Sequence, residues 1–192
     1  MFSFIIMLLD TVTVLLAALL LFRFLRAVCM RTVLMYRIKA VCRAQNLALT
    51  VHRLPFWSIL IKSSQIDLSV KSEKQVYHVK FLASLSSKRV FHFVDEHNYI
   101  TYLKTFTALP MATKISEHIQ FASFHRFPVL ERKQEEEREA VYVLLFNPTP
   151  NNILCICEGT LTEVGNGTRI GSLYAYNGKG FCAMLAQAND AV

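Results

Sequence analysis

Residues 2–22 read FSFIIMLLDTVTVLLAALLLF, an unbroken apolar run of 21 residues whose one charge is Asp10. About 20 such residues cross the hydrocarbon core of a bilayer as a helix. On the insertion scale, Asp10 near the middle costs about 2.5–3.5 kcal/mol. The 14 Leu, Ile, Val and Phe side chains of the run together return roughly 4–8 kcal/mol, so insertion wins. A cleaved signal peptide is the rival, but it wants a basic n-region and a small-residue cleavage site. Nothing before Arg23 is basic, and Ala17-Ala18 is embedded in leucines. A buried helix of a soluble globule is the plainer alternative. The run is read as a transmembrane helix within an anchor at residues 1–25.

The charge supports that reading. Residues 1–62 carry eight Lys and Arg against one acid, while residues 63–192 carry thirteen of each sign, so the whole net charge of +7 belongs to the first third. A nucleic-acid-binding domain spreads its cations over a folded face; here they follow the apolar run. Arg23, Arg26, Arg31 and Arg37 are the membrane-flanking cations. By the positive-inside rule they put the C-terminal side in the cytoplasm and the N-terminus outside. The same arginines suit anionic headgroups. Within the span, Asp10 either pairs with a polar group on a partner helix or is a tolerated acid reached by water. Five cysteines with no framework spacing fit a reducing compartment. Cys155-x-Cys157 lacks the further ligands that a zinc site needs. Asn166-Gly167-Thr168 matches a glycosylation sequon, which the expected topology keeps out of any lumen.

Beyond the anchor the texture changes twice. Residues 28–49 hold no Gly or Pro and read as a basic juxtamembrane helix, assigned to a segment 26–54 that Pro55 ends at the latest. From residue 57 the period becomes two. Ile66, Leu68 and Val70 alternate with Asp67, Ser69 and Lys71, and Val76–Leu82, Arg89–Val94 and Tyr99–Phe106 are rich in residues that suit a pleat. Residues 57–106 are thus expected to form an antiparallel meander. Residues 113–121 read as a short helix or strand, and Glu131–Ala140 as a solvated, charge-dense helix or loop. Val141–Phe146 (VYVLLF) is a buried strand. Asn166-Gly167 predicts a two-residue hairpin, and Phe181–Ala188 a closing helix.

The chain contains no P-loop, dinucleotide fingerprint or nucleophile elbow. Its histidines show no metal-ligand spacing, although His92 and His97 flank one turn. One constellation carries chemistry. With an even-numbered loop after Lys71, Asp67, His78 and Lys80 share one face of a hairpin, position 67 lying across from 78. That pattern resembles the core of the PD-(D/E)xK nuclease-like superfamily, where an acid on one strand and an acid-x-lysine on the next hold Mg²⁺ and activate water. The resemblance implies catalytic candidates Asp67 and Lys80, with His78 standing where the second acid belongs. A hard cation prefers oxygen ligands there. The bland reading is a solvent-facing charged row.

The stretch Val76–Tyr99 (VYHVKFLASLSSKRVFHFVDEHNY), the basic helix behind a single span, and Gly165-Asn166-Gly167 with Gly171-Ser172-Leu173-Tyr174 resemble uncharacterised small membrane-anchored proteins of Gram-positive bacteria. That resemblance implies an anchor and no particular activity. The expectation is an α+β protein: one N-terminal transmembrane helix, a basic juxtamembrane helix, and a mainly antiparallel cytoplasmic sheet domain with flanking helices over residues 55–192. Expected partners are a bilayer with anionic headgroups and a protein, with nucleic acid not among them. No cofactor or metal is expected. The role is a non-catalytic interaction or scaffolding module, the rival a membrane-anchored metal-dependent nuclease.

Overall fold

The computed structural model describes residues 2–60, 66–83, 89–107, 116–126, 139–150, 152–157 and 160–188. The segments expected to form the anchor and the juxtamembrane helix are one element, α1 (Phe2–Ala44). No Gly or Pro interrupts it, so nothing local stops the helix at the end of the apolar run. It stops at Asn46, whose φ of 53° is left-handed. The amide of Leu47 donates to the Cys42 carbonyl (2.8 Å) and that of Asn46 to Arg43 (3.4 Å). This is a Schellman cap with Asn in the place usually taken by Gly. Cys42 and Leu47 then bury together, the apolar contact that accompanies such caps.

Two sheets follow. Sheet A has six strands in the order β1 (Ala48–Val51), β2 (Leu68–Lys71), β3 (Gln75–Leu82), β7 (Glu139–Phe146), β11 (Leu173–Asn177), β10 (Thr168–Ile170). Sheet B has five, in the order β6 (Ser116–Arg126), β5 (Asn98–Thr107), β4 (Arg89–Phe93), β8 (Asn152–Cys157), β9 (Thr160–Glu163). Two further helices are α2 (Pro55–Leu60) and α3 (Gly178–Gln187).

Sheet A is covered on both faces. Its odd-numbered β3 and β7 side chains (Tyr77, Val79, Phe81, Val143, Leu145) pack with Leu34, Ile38 and Cys42 of α1 and Phe181 and Leu185 of α3. Its other face (Tyr142, Leu144, Phe146, Leu173, Ala175) packs on Phe91, Phe93, Tyr99, Ile153 and Cys155 of sheet B. The layers therefore run helix, sheet, sheet. Val141–Phe146 is a buried strand, as its continuous apolar run predicts, because a strand covered on both sides has no polar face.

The sheets are mixed, which corrects the expectation of a mainly antiparallel one. β7 lies parallel between β3 and β11, and β4 runs parallel to β8. The expected meander over 57–106 is also corrected. Residues 57–60 belong to α2, and β3 and β4 are in different sheets. Nor does Asn166-Gly167 close a hairpin. It carries the chain from β9 in sheet B to β10 in sheet A, and the hairpin turn is Gly171-Ser172, since Ile170 pairs with Leu173. Gly171 has φ +59°, and a Cβ there would lie 2.6 Å from the Glu96 carboxylate. That carboxylate accepts the Ser172 amide (2.6 Å) and so ties the β4–β5 turn to the β10–β11 turn. Residues 116–121 lie in strand β6. Of the charge-dense segment, Glu139 and Ala140 open β7; residues 131–138 lie outside the described residues, as do 113–115. The closing helix is α3, capped by Asn177, whose side-chain oxygen accepts the Gly180 amide at 2.7 Å.

Candidate functional site

Asp67, His78 and Lys80 share one face of sheet A. The turn holds two residues, Glu73-Lys74, since the Ser72 amide donates to the Gln75 carbonyl (2.9 Å) and Lys71 pairs with Val76. Ser69 therefore stands opposite His78, and Asp67 falls opposite Lys80. The pairing is displaced by two residues from the expected one. Two is the period of the pleat, so the faces survive.

The face points inward, unlike the solvent-facing row of the bland reading. Asp67 is 0% exposed, His78 1% and Lys80 6%. The Lys80 ammonium lies 3.2 Å from Asp67 Oδ2, and the Phe81 amide donates to that same oxygen at 2.8 Å. Arg53 reaches Asp67 Oδ1 at 3.9 Å. From α1, Arg31 donates through Nη2 to the Asn147 carbonyl (2.7 Å) and lies over the Phe81 ring at 4.6 Å. Burial pulls the Arg31 guanidinium down to about 10, with the Asp67 charge opposing it. Burial likewise lowers Lys80, again against Asp67.

A hydrogen-bonded chain lies beside this ion cluster. Ser69 Oγ is 2.9 Å from His52 Nε2 and 3.0 Å from His78 Nδ1. A hydroxyl carries one proton, so Ser69 donates to one ring and accepts from the other. The His78 ring then meets Tyr142 at 5.3 Å. The row crosses β2, β3 and β7 from a residue just past β1. His52 is exposed, while Ser69, His78 and Tyr142 are buried, where an unsatisfied polar group is costly. Both partners of Asp67 Oδ2 are fixed and the residue is sealed from solvent. That is the arrangement of a structural carboxylate rather than of one open to a cation.

Among the flanking cations, Arg23, Arg26 and Arg37 are exposed. Arg31 is not: at 0% exposure it belongs to the interior of the domain, which removes it from the headgroup-facing set. The reason is its place on the same helical stripe as Ala27, Leu34 and Ile38, all buried. Asp10 is exposed. His97 pairs with Glu96 at 3.3 Å, while His92 stands on β4. No group of three or more metal-ligating side chains occurs among the described residues.

The sequence reading missed an open recess of about 470 Å³ at one end of sheet A, lined by Tyr77, Tyr174, Tyr176, Arg169, Glu139 and Gln75 among others. Tyr77 donates to Gln75 Oε1 (2.7 Å), and Gln75 donates to Glu139 Oε2 (2.9 Å). Burial raises the Tyr77 phenol, helped by Tyr176 and Glu139, and it raises the Tyr176 phenol, helped by Tyr174. Tyrosine and arginine are the side chains that most often anchor a binding surface. A recess of this size also falls within the usual range for ligand sites. The available signal was the Tyr174-x-Tyr176 alternation, which puts two phenols on one face. Their convergence with Tyr77 needs the parallel β3–β7–β11 order.

Fold and site together define an α+β protein with two mixed sheets and one long helix apolar enough over its first half to cross a membrane. No family model, curated protein or solved structure matches the chain.

Proposed function

We propose that this protein is a membrane-tethered, non-catalytic binding module. The first half of α1 spans the bilayer with the N-terminus outside, and the two sheets stand in the cytoplasm. One observation carries this reading. In the most apolar 18-residue stretch of α1, 6% of residues are buried, and Met7, Leu9, Val14, Leu15, Leu20 and Phe22 are each more than half exposed. A row of bare leucines this long demands an apolar environment. The hydroxyls of Thr11 and Thr13 bond back to the carbonyls of Met7 and Leu9, both at 2.8 Å, which satisfies them without water. Arg23, Arg26 and Arg37 supply the positive flank for anionic headgroups. The tyrosine-lined recess is the surface offered to a protein partner or ligand.

A metal-dependent nuclease built on Asp67 and Lys80 is the weaker reading, because Asp67 is closed by Lys80 and the Phe81 amide. Alkaline extraction and outside-added protease on intact cells test the proposal. The chain should stay with the membrane, and residues 26–192 should resist digestion until the cells are permeabilised. Release by alkali overturns the anchor, and digestion in intact cells reverses the orientation. Purified full chain with Mg²⁺ or Mn²⁺ and DNA tests the rival, which stands only if cleavage appears and Asp67→Ala abolishes it.

A further inference from the structure

Exposed aromatic surface continues from the bare half of α1 onto the domain. Leu54 is 63% exposed, Phe56 42% and Trp57 49%, all on or beside α2. Side chains this apolar are costly to leave in water. Their depth is fixed by a contact: the Phe56 ring meets Phe24 of α1 edge-on at 5.5 Å, and Trp57 meets Phe56 edge-on at 5.4 Å. Phe24 is two residues past Phe22, the end of the apolar run, and two residues advance a helix by about 3 Å. The two α2 aromatics therefore sit at the level where the run ends, flanked on α1 by the exposed Arg23 and Arg26. Indole and phenyl rings concentrate at that level of a bilayer, where an apolar body meets a polar boundary.

We infer that α2 is a second membrane contact, its Leu54, Phe56 and Trp57 inserted in the lipid interface beside the span. The occupant of this patch is the headgroup and acyl boundary of the bilayer. Three facts favour lipid over a protein partner: continuity with the bare face of α1, the aromatic composition, and the height set by Phe24. A surface segment of this kind buries its apolar side about 5–10 Å below the headgroups. Two contacts, one through α1 and one through α2, would hold the domain at a fixed roll and tilt about α1. His52 and Arg53, which reach the buried Ser69 and Asp67, immediately precede this patch in sequence. The inference rests on α1 being a span.

Trp57 is the one tryptophan of the chain, so its fluorescence reports this patch without labelling. The full chain is reconstituted in vesicles of phosphatidylcholine and phosphatidylglycerol, and incorporation is checked by flotation. With phosphatidylcholine brominated near the headgroup end of its acyl chains, Trp57 should lose most of its emission. Bromines at the chain ends should quench less, and aqueous iodide little. The Leu54→Ser/Phe56→Ser variant should shift the emission to the red and restore iodide quenching. Floating protein whose Trp57 is open to iodide and blind to bromolipid overturns the inference while leaving the anchor in place. Floating protein shielded from both quenchers gives the patch to a second copy of the chain and likewise overturns it. Failure to float overturns the anchor and the inference together.

Discussion

The two halves of α1 are one uninterrupted helix with opposite fates. From Ala27 to Cys42 it lays a stripe of Ala27, Arg31, Leu34, Ile38 and Cys42 on sheet A and buries all five. From Ile6 to Phe22 it is more apolar, yet exposed residue after residue. Hydrophobicity alone therefore does not decide what a globule buries. The packed half has one stripe that matches one sheet face, and its outward positions mix Arg37 and Lys39 with Met30, Val33 and Tyr36. The bare half is apolar on every side, and no single protein face can cover it. An arginine lies inside the packed half and leucines lie outside in the other, because partners are available to the first and absent for the second.

Substitutions in each half, and in the sheet beneath, put that contrast to the test. The largest effect belongs to the ion cluster beneath the packed half. Asp67→Ala leaves the Lys80 ammonium buried without its counter-charge, and the domain should lose about 3–5 kcal/mol in urea denaturation. Asp67→Leu combined with Lys80→Met removes both charges and should recover much of that loss. A double variant as unstable as the single one would show that the pair does more than neutralise itself. Next comes the helix. Ile38→Ala should cost about 2–5 kcal/mol, whereas Leu16→Ala in the bare half should move the same domain transition by no more than about 0.5 kcal/mol. Equal costs at the two positions would mean that the first half is also buried by protein. Smaller again is the cap of α3, where Asn177→Ala should cost about 1 kcal/mol, read from the same denaturation curves.

The pH dependence is the subtlest probe. Burial raises the Cys42 thiol from 9.0 to about 11, and it also raises Cys182, Tyr77, Tyr99 and Tyr176. The folded chain then holds protons that the unfolded chain gives up. The stability from Cys42 is complete below about pH 9 and lost as pH climbs toward 11, and that from the raised tyrosines is lost only above their ordinary value of 10.0. Lys80 and Arg31 oppose this, because their lowered folded values make deprotonation easier in the native state, and they return stability as pH rises. The urea midpoint of the wild type should fall from pH 8.5 to 10.5, these two pH values being chosen about the ordinary thiol range. Cys42→Ala should flatten the fall and Lys80→Met should steepen it. A midpoint that rises with pH would assign control to the cations.

Much of the element content was legible, for local reasons. Pattern and length read the apolar run, the helix after it, the buried strand at Val141–Phe146 and the closing helix. The shared face of Asp67, His78 and Lys80 was legible too, because parity survives a two-residue slip in register. What escaped depends on distant partners. The run Asp67–Lys71 looks amphipathic, but Asp67 and Ser69 are buried among Lys80 and His78 of β3 and the segment at residues 52–53, and nothing near residue 67 in the chain announces those partners. Asn166-Gly167 was a turn as its chemistry demands, yet the strands on either side belong to different sheets. The end of α1 could have been read closer, since Asn46 before an apolar Leu47 is a cap signal.

By itself the sequence determined a long helix, apolar on all sides over its first half and basic after it, because the absence of Gly and Pro and the distribution of charge are local properties. The tertiary structure alone turned Arg31 inward, slid β7 in parallel between β3 and β11, and brought Tyr77, Tyr174 and Tyr176 to one recess with Arg169 of β10. Those outcomes depend on surfaces brought together from distant parts of the chain, 116 residues apart for Arg31 and Asn147. Their physical reason is burial: each apolar face takes the best-fitting partner anywhere in the chain, and polar groups caught between the layers pair where they stand.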